Sequence, residues 1–342
     1  MSNAKLLALA ITRLPGLRPT EKLLLDDVVG SIDFFRALDA FALEQIIGRS
    51  TGELSLRPEE AFALAERDLA YCDRRGIRIV TYWDGAYPPQ LREIYDPPLL
   101  LFVRGILPGL ERPLVSVVGT REPTAGAVLA AEQLAEELAL AGYTVISGLA
   151  RGIDAAAHRG AVRANLAVSG SAPTGGVLGG GIDGVHPASN RALAAQILEC
   201  GGFLASEYPP GVRPAKYHFP ARNRIISGLA RGVVVVEAPA RSGALITAEY
   251  ALDQGRDLFV HRTGTEGERG AGSDELAQDG ARIITSATDI LEEWGIAGKV
   301  QPLPAPGRAE RSDHASAGWK AGSELAASIR DAIALEGPAA DG

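Results

Sequence analysis

The spacing of apolar residues changes near Gly76. Before it, apolar residues recur every three or four positions, as in Leu6, Leu7, Ala10 and Ile11, which predicts short amphipathic helices. After it, unbroken apolar runs alternate with helical segments as far as about residue 294, and such runs are typical of strands buried on both faces. The predicted strands are 77–82, 99–103, 114–118, 144–147, 233–237, 258–261 and 282–285.

Helical periodicity fills most of the intervals between these strands. A further helix is predicted to begin near Pro58, with acidic residues in its first turn, and to end before Gly76. Because strands and helices alternate, we expect an α/β fold with a doubly wound, mostly parallel sheet that is covered on both faces. The predicted helices of the alternating part are 124–141, 153–163, 189–199, 243–254, 273–279 and 287–294.

The same pattern divides the chain into three regions. Residues 1–75 are predicted to form a small all-helical domain, and residues 76–296 the α/β domain. Residues 297–342 begin with a stretch rich in Pro, Ala and charge, typical of a flexible linker, and continue into one weak helix over 323–335.

The chain is acidic overall and basic in one segment. Its 342 residues include 34 Lys and Arg against 42 Asp and Glu, a net charge of −8, which argues against nucleic-acid binding over the whole surface. The segment 208–232 has no acidic residue and carries Tyr217 and Phe219 among its cations. Since cations neutralise phosphates and aromatic faces stack on unpaired bases, this segment is typical of a single-stranded nucleic-acid site, with a solvated basic loop as the alternative. Its basic residues are Arg213, Lys216, Arg222, Arg224 and Arg231.

Cysteine content and apolar runs bear on cofactors and location. Cys72 and Cys200 are the only cysteines, which excludes a disulfide framework and a cysteine cluster for metal. The N-terminal sequence MSNAKLLALAITRLPG lacks the basic and long apolar parts of a secretory signal. The longest uncharged run, 164–182, holds too many Gly, Ser and Pro residues for a membrane helix. We therefore expect a cytoplasmic protein with no membrane contact.

Glycine-rich loops follow several predicted strands. In the first, Gly119 allows a close backbone approach to a ligand, Arg121 adds a positive charge, and Thr124 can cap the next helix. Because parallel strands end at one edge of a sheet, we expect these loops to form a concave anion site, although such loops are also the ordinary way for α/β sheets to turn. The other loops of this kind are 147–154, 179–191 and 237–247.

The residue patterns of several enzyme classes are absent from the sequence. It contains no G-x-x-x-x-G-K-[ST] P-loop, and no carboxylate lies about twenty positions after Gly126, where a dinucleotide site needs one. The five histidines lack metal-ligand spacing. Asp154, Asp183 and Glu237 follow strands, but neighbouring arginines keep such carboxylates ionised and suited to organising loops. We therefore expect a protein that is not an enzyme, without catalytic residues, metal or cofactor.

Seven motifs occur in one order between about residues 76 and 291. They are GTREPTAG, SGLARGIDAAAHRGAV, LGGGIDGVHPASN, SEYPPG, FPARNRIISGL, VVVVEAPARSGALITAEYALDQGRDLF and DGARIITSATDIL. Together they resemble the DNA-processing protein A family, also called DprA or Smf. The resemblance implies an extended Rossmann-like fold and a non-enzymatic protein. Members of the family bind single-stranded DNA, load the RecA recombinase onto it during natural transformation, and usually act as homodimers.

The resemblance also indicates which residues bind DNA. One groove should be lined by Arg121, Lys216, Arg222 and Arg224, because the segment before strand 233–237 can fold back over the strand ends. We also expect Phe219 to stack on a base. The candidate DNA-binding residues are Gly119, Thr120, Arg121, Thr124, Asn190, Arg191, Lys216, Phe219, Arg222, Asn223, Arg224, Ser242, Gly243 and Thr247.

The chain departs from the family pattern in places. Ala188 stands where the family often has a basic residue, Ala244 lacks the usual hydroxyl, and residues 260–264 replace an apolar-Pro-Gly sequence. The N-terminal region resembles the helical, SAM-like domain of many members, whereas the tail is too short for their winged helix. An alternative function is a nucleotide-binding sensor or an enzyme like the cytokinin-activating phosphoribohydrolases, although SGALITAEY lacks the glycine run of their P-G-G-x-G-T-x-x-E motif.

Overall fold

The computed structural model describes residues 3–51, 57–108 and 113–296. The predicted linker and the predicted helix over 323–335 lie outside these residues. Within them, no helix is long and apolar enough to cross a membrane. The same residues contain no group of three His, Cys, Asp or Glu side chains placed to hold a metal ion.

Within residues 3–51 and 57–74, five helices precede the sheet and confirm the predicted helical region. They are α1 (Asn3–Arg13), α2 (Pro19–Val29), α3 (Ile32–Ala37), α4 (Ala40–Ile47) and α5 (Pro58–Arg74). The ring of Pro58 fits the first turn of α5, where Glu60 accepts a hydrogen bond from the Arg57 N–H at 3.1 Å. Arg13 joins α1 to α5, because its Nε donates to the Asp68 carboxylate at 2.6 Å.

The rest of the described chain is built on one sheet of nine strands. They are β1 (Arg78–Thr81), β2 (Leu100–Gly105), β3 (Leu114–Val118), β4 (Thr144–Ser147), β5 (Thr174–Val177), β6 (Phe203–Ser206), β7 (Gly232–Val235), β8 (Asp257–His261) and β9 (Arg282–Ile284). Their order is β1-β2-β6-β5-β4-β3-β7-β8-β9. β2 is antiparallel to both of its neighbours, and all other pairs are parallel. The predicted α/β fold with a mostly parallel sheet is thereby confirmed.

β5 and β6 are absent from the predicted strands. β5 has the sequence TGGV, and glycine is depleted in strands because it offers no side chain to pack. The tertiary structure requires that composition, since a Cβ at Gly175 would lie 2.2 Å from the ring of Phe203 on β6. The contact with β6 therefore requires glycine in β5. Because glycine is not typical of strands, the sequence pattern does not predict β5.

In the part of the chain that the structure describes, eight further α-helices accompany the strands. They are α6 (Pro89–Arg92), α7 (Ala125–Leu140), α8 (Ile153–Ala167), α9 (Arg191–Glu199), α10 (His218–Leu229), α11 (Gly243–Asp253), α12 (Ala271–Gln278) and α13 (Ala287–Glu293). α10 is absent from the predicted helices, although it carries the FPARNR motif. Its Pro220 occupies the third helical position, where proline is tolerated because the missing N–H has no partner in the first turn.

Helices cover both faces of the sheet. α7, α8 and α13 share one buried apolar cluster with β3, β4 and β7, whereas α6, α10 and α11 pack on the opposite face. The N-terminal helices share a third cluster with Leu100 and Phe102 of β2 and Leu204 of β6. They therefore pack on the antiparallel end of the sheet, and a domain boundary near residue 76 stays a prediction.

Candidate nucleic-acid interface

An open groove of about 630 Å³ lies where β3 and β7 end. The chain leaves β3 toward β4, β5 and β6 on one side and continues from β7 to β8 and β9 on the other. This reversal of strand order is the place where doubly wound sheets bind ligands, because the loops on either side of it diverge and leave a crevice.

Ten of the predicted binding residues meet in this groove, although they come from three parts of the chain. They come from the loop after β3, from the segment that runs from Lys216 into the first half of α10, and from the N-cap and first turns of α11, with one turn of α8 beside them. They are Gly119, Thr120, Arg121, Lys216, Phe219, Arg222, Asn223, Ser242, Gly243 and Thr247.

Backbone contacts hold the loop after β3 in place. The Thr120 N–H donates to the carbonyl oxygen of Glu237 at 2.7 Å, and the Thr120 carbonyl accepts from the Ile153 N–H at 3.1 Å. A Cβ at Gly119 would lie 2.6 Å from the Ile153 side chain and 2.9 Å from the Glu237 carbonyl oxygen. Glycine is therefore required where the loop passes between β7 and α8.

The side-chain carboxylate of Glu237 also holds the loop after β3 in place. It accepts hydrogen bonds from the Thr124 N–H at 2.9 Å and from the Thr124 hydroxyl at 2.6 Å. Thr124 also caps α7, since its Oγ1 accepts from the Ala127 N–H at 3.2 Å. The Thr124 hydroxyl is thus used for hydrogen bonds that hold the loop and the start of α7, and Thr124 does not line the groove.

Arg222 is the buried cation of the groove. Its side chain is only 4 % exposed, and its Nε and Nη1 have no hydrogen-bond partner. Burial lowers the pKa of Arg222 to about 10, against the opposing effect of Asp154, so the guanidinium is charged at neutral pH. No carboxylate in the described part of the chain forms an ion pair with it, because the Asp154 Oδ2 accepts instead from the Gly148 and Ala150 N–H groups at 3.1 and 3.3 Å.

The second cation of the groove is Arg121, which packs against the aromatic ring of Phe219. Its guanidinium carbon lies 5.4 Å from the centroid of the Phe219 ring, within the range of a cation–π contact. Arg121 and Lys216 are exposed, whereas Phe219 is half-buried. The groove thus presents three cations, one recessed and two at its surface.

Arg224 does not join the other predicted cations. It is two residues beyond Arg222 and therefore points about 200° away around the helix. Its Nη1 and Nη2 donate to the Glu207 carboxylate at 2.9 and 2.7 Å, and its Nε lies 3.0 Å from Asp96 Oδ2. Arg224 is 2 % exposed and lines a separate cavity that faces the N-terminal helices. The prediction that it shares the groove is wrong, because it belongs to an ion-pair network on the other side of α10.

Asn190 and Arg191 also lie outside the groove. The Asn190 Nδ2 donates to the carbonyl oxygens of Leu149 and Ala150 at 2.9 and 3.0 Å. Leu149 has a φ of 55°, a left-handed conformation that is costly for a residue with a Cβ. Asn190 therefore stabilises the strained conformation of the loop before α8. Arg191 is exposed and lines a different cavity beside Asp183.

Replacing Asn190 with alanine should lower the free energy of unfolding by about 1–3 kcal/mol, because the buried carbonyl oxygen of Leu149 and the partly buried one of Ala150 lose their donor. Asn190→Asp should lower it further, since a carboxylate would face those two oxygens. Urea denaturation measures both losses. The salt dependence of DNA binding should stay unchanged in the folded protein, and a flatter dependence would instead indicate a direct phosphate contact.

Two residues next to residues of the groove are missing from the sequence-based predictions. Gly148 lies against the Arg222 guanidinium, so closely that a Cβ there would be 1.7 Å from Nη1. Arg241 is exposed beside Ser242 and has a φ of 62°, a strained conformation of the kind found at binding sites. The motifs SGLARG and ARSG mark both positions as loop residues, but contact and backbone angle become known only from the fold.

The chain belongs to the DNA recombination-mediator protein A family, whose model matches residues 78–295. DNA processing protein DprA from Bacillus subtilis is 39% identical over 236 residues, which cover 69% of this chain and 77% of that protein. The X-ray structure of DNA processing protein A from Streptococcus pneumoniae superposes with a TM-score of 0.68 at 34% identity and covers 86% of this chain and 98% of that one.

A second solved structure is that of DNA processing protein A from Helicobacter pylori, a protein described as having a unique single-stranded DNA binding mode. It superposes with a TM-score of 0.55 at 26% identity and covers 64% of this chain and 97% of that one. The family predicted from the motifs is therefore confirmed, and so is the Rossmann-like architecture.

Proposed function

We propose that the groove binds the phosphate backbone of single-stranded DNA and that the protein, as a homodimer, loads a RecA recombinase onto the bound strand during natural transformation. The observation that carries the binding step is Arg222, a buried guanidinium without an acceptor at the base of an open groove. A buried guanidinium with unpaired N–H groups is costly, and a phosphate oxygen would supply the missing acceptor.

Single-stranded DNA fits this groove better than a small anion does. Arg121 and Lys216 are exposed at its surface, so they can meet phosphates on either side of one that sits over Arg222. A flexible strand can bring successive phosphates to one recessed and two exposed cations, whereas a duplex holds its phosphates in a fixed helical arrangement. Family membership supports loading of RecA and dimer formation in the same proposal.

The groove residues support binding rather than catalysis. The Asp154 carboxylate is occupied by two backbone N–H groups. Burial lowers the pKa of His158 to about 3, so this residue is neutral and enclosed beside Thr174. Tyr250 stands where the P-G-G-x-G-T-x-x-E motif of the phosphoribohydrolase-like alternative has its catalytic Glu, and the neighbouring Glu249 is exposed on α11 and does not line the groove. We therefore retain the non-enzymatic function as part of the proposal.

Arg121→Ala and Lys216→Ala should each weaken binding of oligo-dT and reduce the slope of log affinity against log salt by about 0.7, the effect of one phosphate on a single strand. Fluorescence anisotropy over a range of salt concentrations measures both quantities, and a duplex of equal length should bind more weakly than oligo-dT. Arg191→Ala is the matched control, because Arg191 is an exposed arginine outside the groove.

Loading is tested with the same variants. If the groove delivers the strand to RecA, the rate at which RecA filaments form on oligo-dT should fall with Arg121→Ala and stay at the wild-type level with Arg191→Ala. An unchanged salt slope for both groove variants contradicts the binding proposal. Normal binding with no acceleration of filament formation by the wild-type protein contradicts the loading step alone.

A further inference from the structure

The segment between β6 and α10, residues 207–217, brings Lys216 to the groove. All of this β6–α10 segment lies within the described residues, and it forms neither helix nor strand. Three of its residues are prolines, which have no N–H group to donate to a neighbouring carbonyl. The position of Lys216 therefore depends on contacts between the segment and the rest of the protein.

The loop after β5 contacts the β6–α10 segment directly. The Gly211 N–H donates to both carboxylate oxygens of Asp183, at 2.9 and 3.0 Å. Pro214 packs closely on the same loop, since a Cβ at Gly180 would lie 2.8 Å from the Pro214 Cγ. These contacts hold the segment to within two residues of Lys216.

The helical region holds the same segment through Arg13. The Arg13 Nη2 donates to the carbonyl oxygen of Pro210 at 2.9 Å. Arg13 is the last residue of α1, and its side chain is only 16 % exposed. The Asp68 carboxylate of α5 accepts hydrogen bonds from both its Nε and its Nη2. Because a bidentate ion pair fixes the plane of the guanidinium, the N–H that meets Pro210 has a fixed direction.

Two adjacent residues, Pro210 and Gly211, are thus anchored from two distant parts of the chain. The anchor from Arg13 is a hydrogen bond with a charged donor, which is stronger than one between neutral groups. A segment without a hydrogen-bond ladder of its own keeps one conformation only where outside contacts hold it. Loss of the Arg13 anchor should therefore widen the range of positions open to Lys216.

We propose that Arg13 is a positioning residue for DNA binding, and that the helical region acts through its bond to Pro210 to hold Lys216 at the groove. This inference rests on the proposed function of the groove. A cation that must first be ordered contributes less to affinity than one already in place, because ordering costs conformational entropy. The helical region thereby takes part in DNA binding through the β6–α10 segment, with no need to contact the strand itself.

Arg13→Gln tests the inference, with Arg49→Gln as the matched control. Arg49 likewise forms a bidentate ion pair, with Glu21, and donates to a backbone carbonyl, that of Gly16. All of these partners lie in the helical region, so the two variants lose the same kinds of bonds. Arg13→Gln should weaken binding of oligo-dT by more than about twofold and reduce the salt slope, but by no more than Lys216→Ala does. Arg49→Gln should bind like the wild type.

Double variants separate positioning from a general loss of structure. If Arg13 acts through Lys216, Arg13→Gln should weaken binding no further once Lys216→Ala is present. Its full effect should remain beside Arg121→Ala, because that cation lies on a different loop. If Arg13→Gln does not fold, Arg13→Lys takes its place, since a lysine keeps the charge beside Asp68 but lacks the planar fork that also reaches Pro210.

Fluorescence anisotropy over a range of salt concentrations measures all of these variants. The inference is overturned if the folded Arg13 variant binds oligo-dT like Arg49→Gln. It is also overturned if the Arg13 effect is as large beside Lys216→Ala as in the wild type, because Arg13 would then act elsewhere. Failure of the wild-type protein to bind oligo-dT, or an unchanged salt slope in Lys216→Ala, refutes the proposed function itself. A weakened Lys216→Ala beside an unaffected Arg13 variant refutes this inference alone.

Discussion

Arg224→Met should lower the free energy of unfolding by about 3–5 kcal/mol, the usual loss when one partner of a buried ion pair is removed. The guanidinium is 2 % exposed, and burial opposes its charge, but the Glu207 and Asp96 carboxylates help to raise its pKa above the ordinary value. Without this guanidinium, the carboxylates of Glu207 and Asp96 would lose the cation that pairs with both of them. Burial already raises the pKa of Asp96, and Arg224 counteracts that rise.

Urea denaturation of Arg224→Met beside Arg121→Met measures this difference. The two variants share the same chemical change, but Arg121 is exposed, so its replacement should alter stability by no more than about 0.5 kcal/mol. DNA affinity should show the opposite order, with the folded fraction of Arg224→Met binding normally. Equal stability of the two variants would contradict the assignment of Arg224 to the ion-pair network.

Gly148→Ala should weaken binding of oligo-dT by about 10- to 100-fold, because the charge-assisted hydrogen bonds that we propose Arg222 donates to a DNA phosphate would be lost. The added Cβ would lie 1.7 Å from Arg222 Nη1, so the guanidinium must move from its place at the groove. The obstructing atom is the tip of a flexible side chain, and overpacking is milder where the neighbour can shift. We therefore expect stability to change less than affinity.

Gly160→Ala is the contrasting variant. A Cβ there would lie 2.0 Å from the backbone carbonyl oxygen of Glu132, where α7 and α8 pack closely. Backbone cannot move aside as a side chain can, so stability should fall by about 1–3 kcal/mol while the folded protein binds oligo-dT normally. Anisotropy and urea denaturation of both variants provide the comparison. Wild-type affinity in Gly148→Ala would mean that Arg222 does not hold the phosphate.

Several elements could be predicted because their signal is local. β3 and β4 have their predicted bounds, since apolar runs with β-branched residues are typical of buried strands. α10 could not be found in the same way. Its first half carries Arg222 on the groove side and Arg224 on the other. Its buried apolar side chains are confined to Ile225, Ile226 and Leu229 near its end, too few for a helical period to be recognised.

The candidate site, too, could be predicted from the sequence only in part. The order of the motifs identifies the family, and the loops after parallel strands place Gly119 and Arg121 at one edge of the sheet, because strand direction fixes where such loops lie. The sequence also contains the cations and aromatic rings of the groove without their roles. Only the tertiary structure decides that Arg222 is left without an acceptor while Arg224 pairs with Glu207.

The sequence by itself therefore determined the fold class, the family and most members of the groove, since these depend on periodicity and on residue order. The tertiary structure decided which side chains meet. Arg121 and Phe219 are far apart in the chain, and their contact exists only because α10 folds over the end of β3. Burial, charge pairing and the exposure of aromatic faces depend on such contacts between distant segments. These properties distinguish a residue that binds a ligand from one that supports the structure around it.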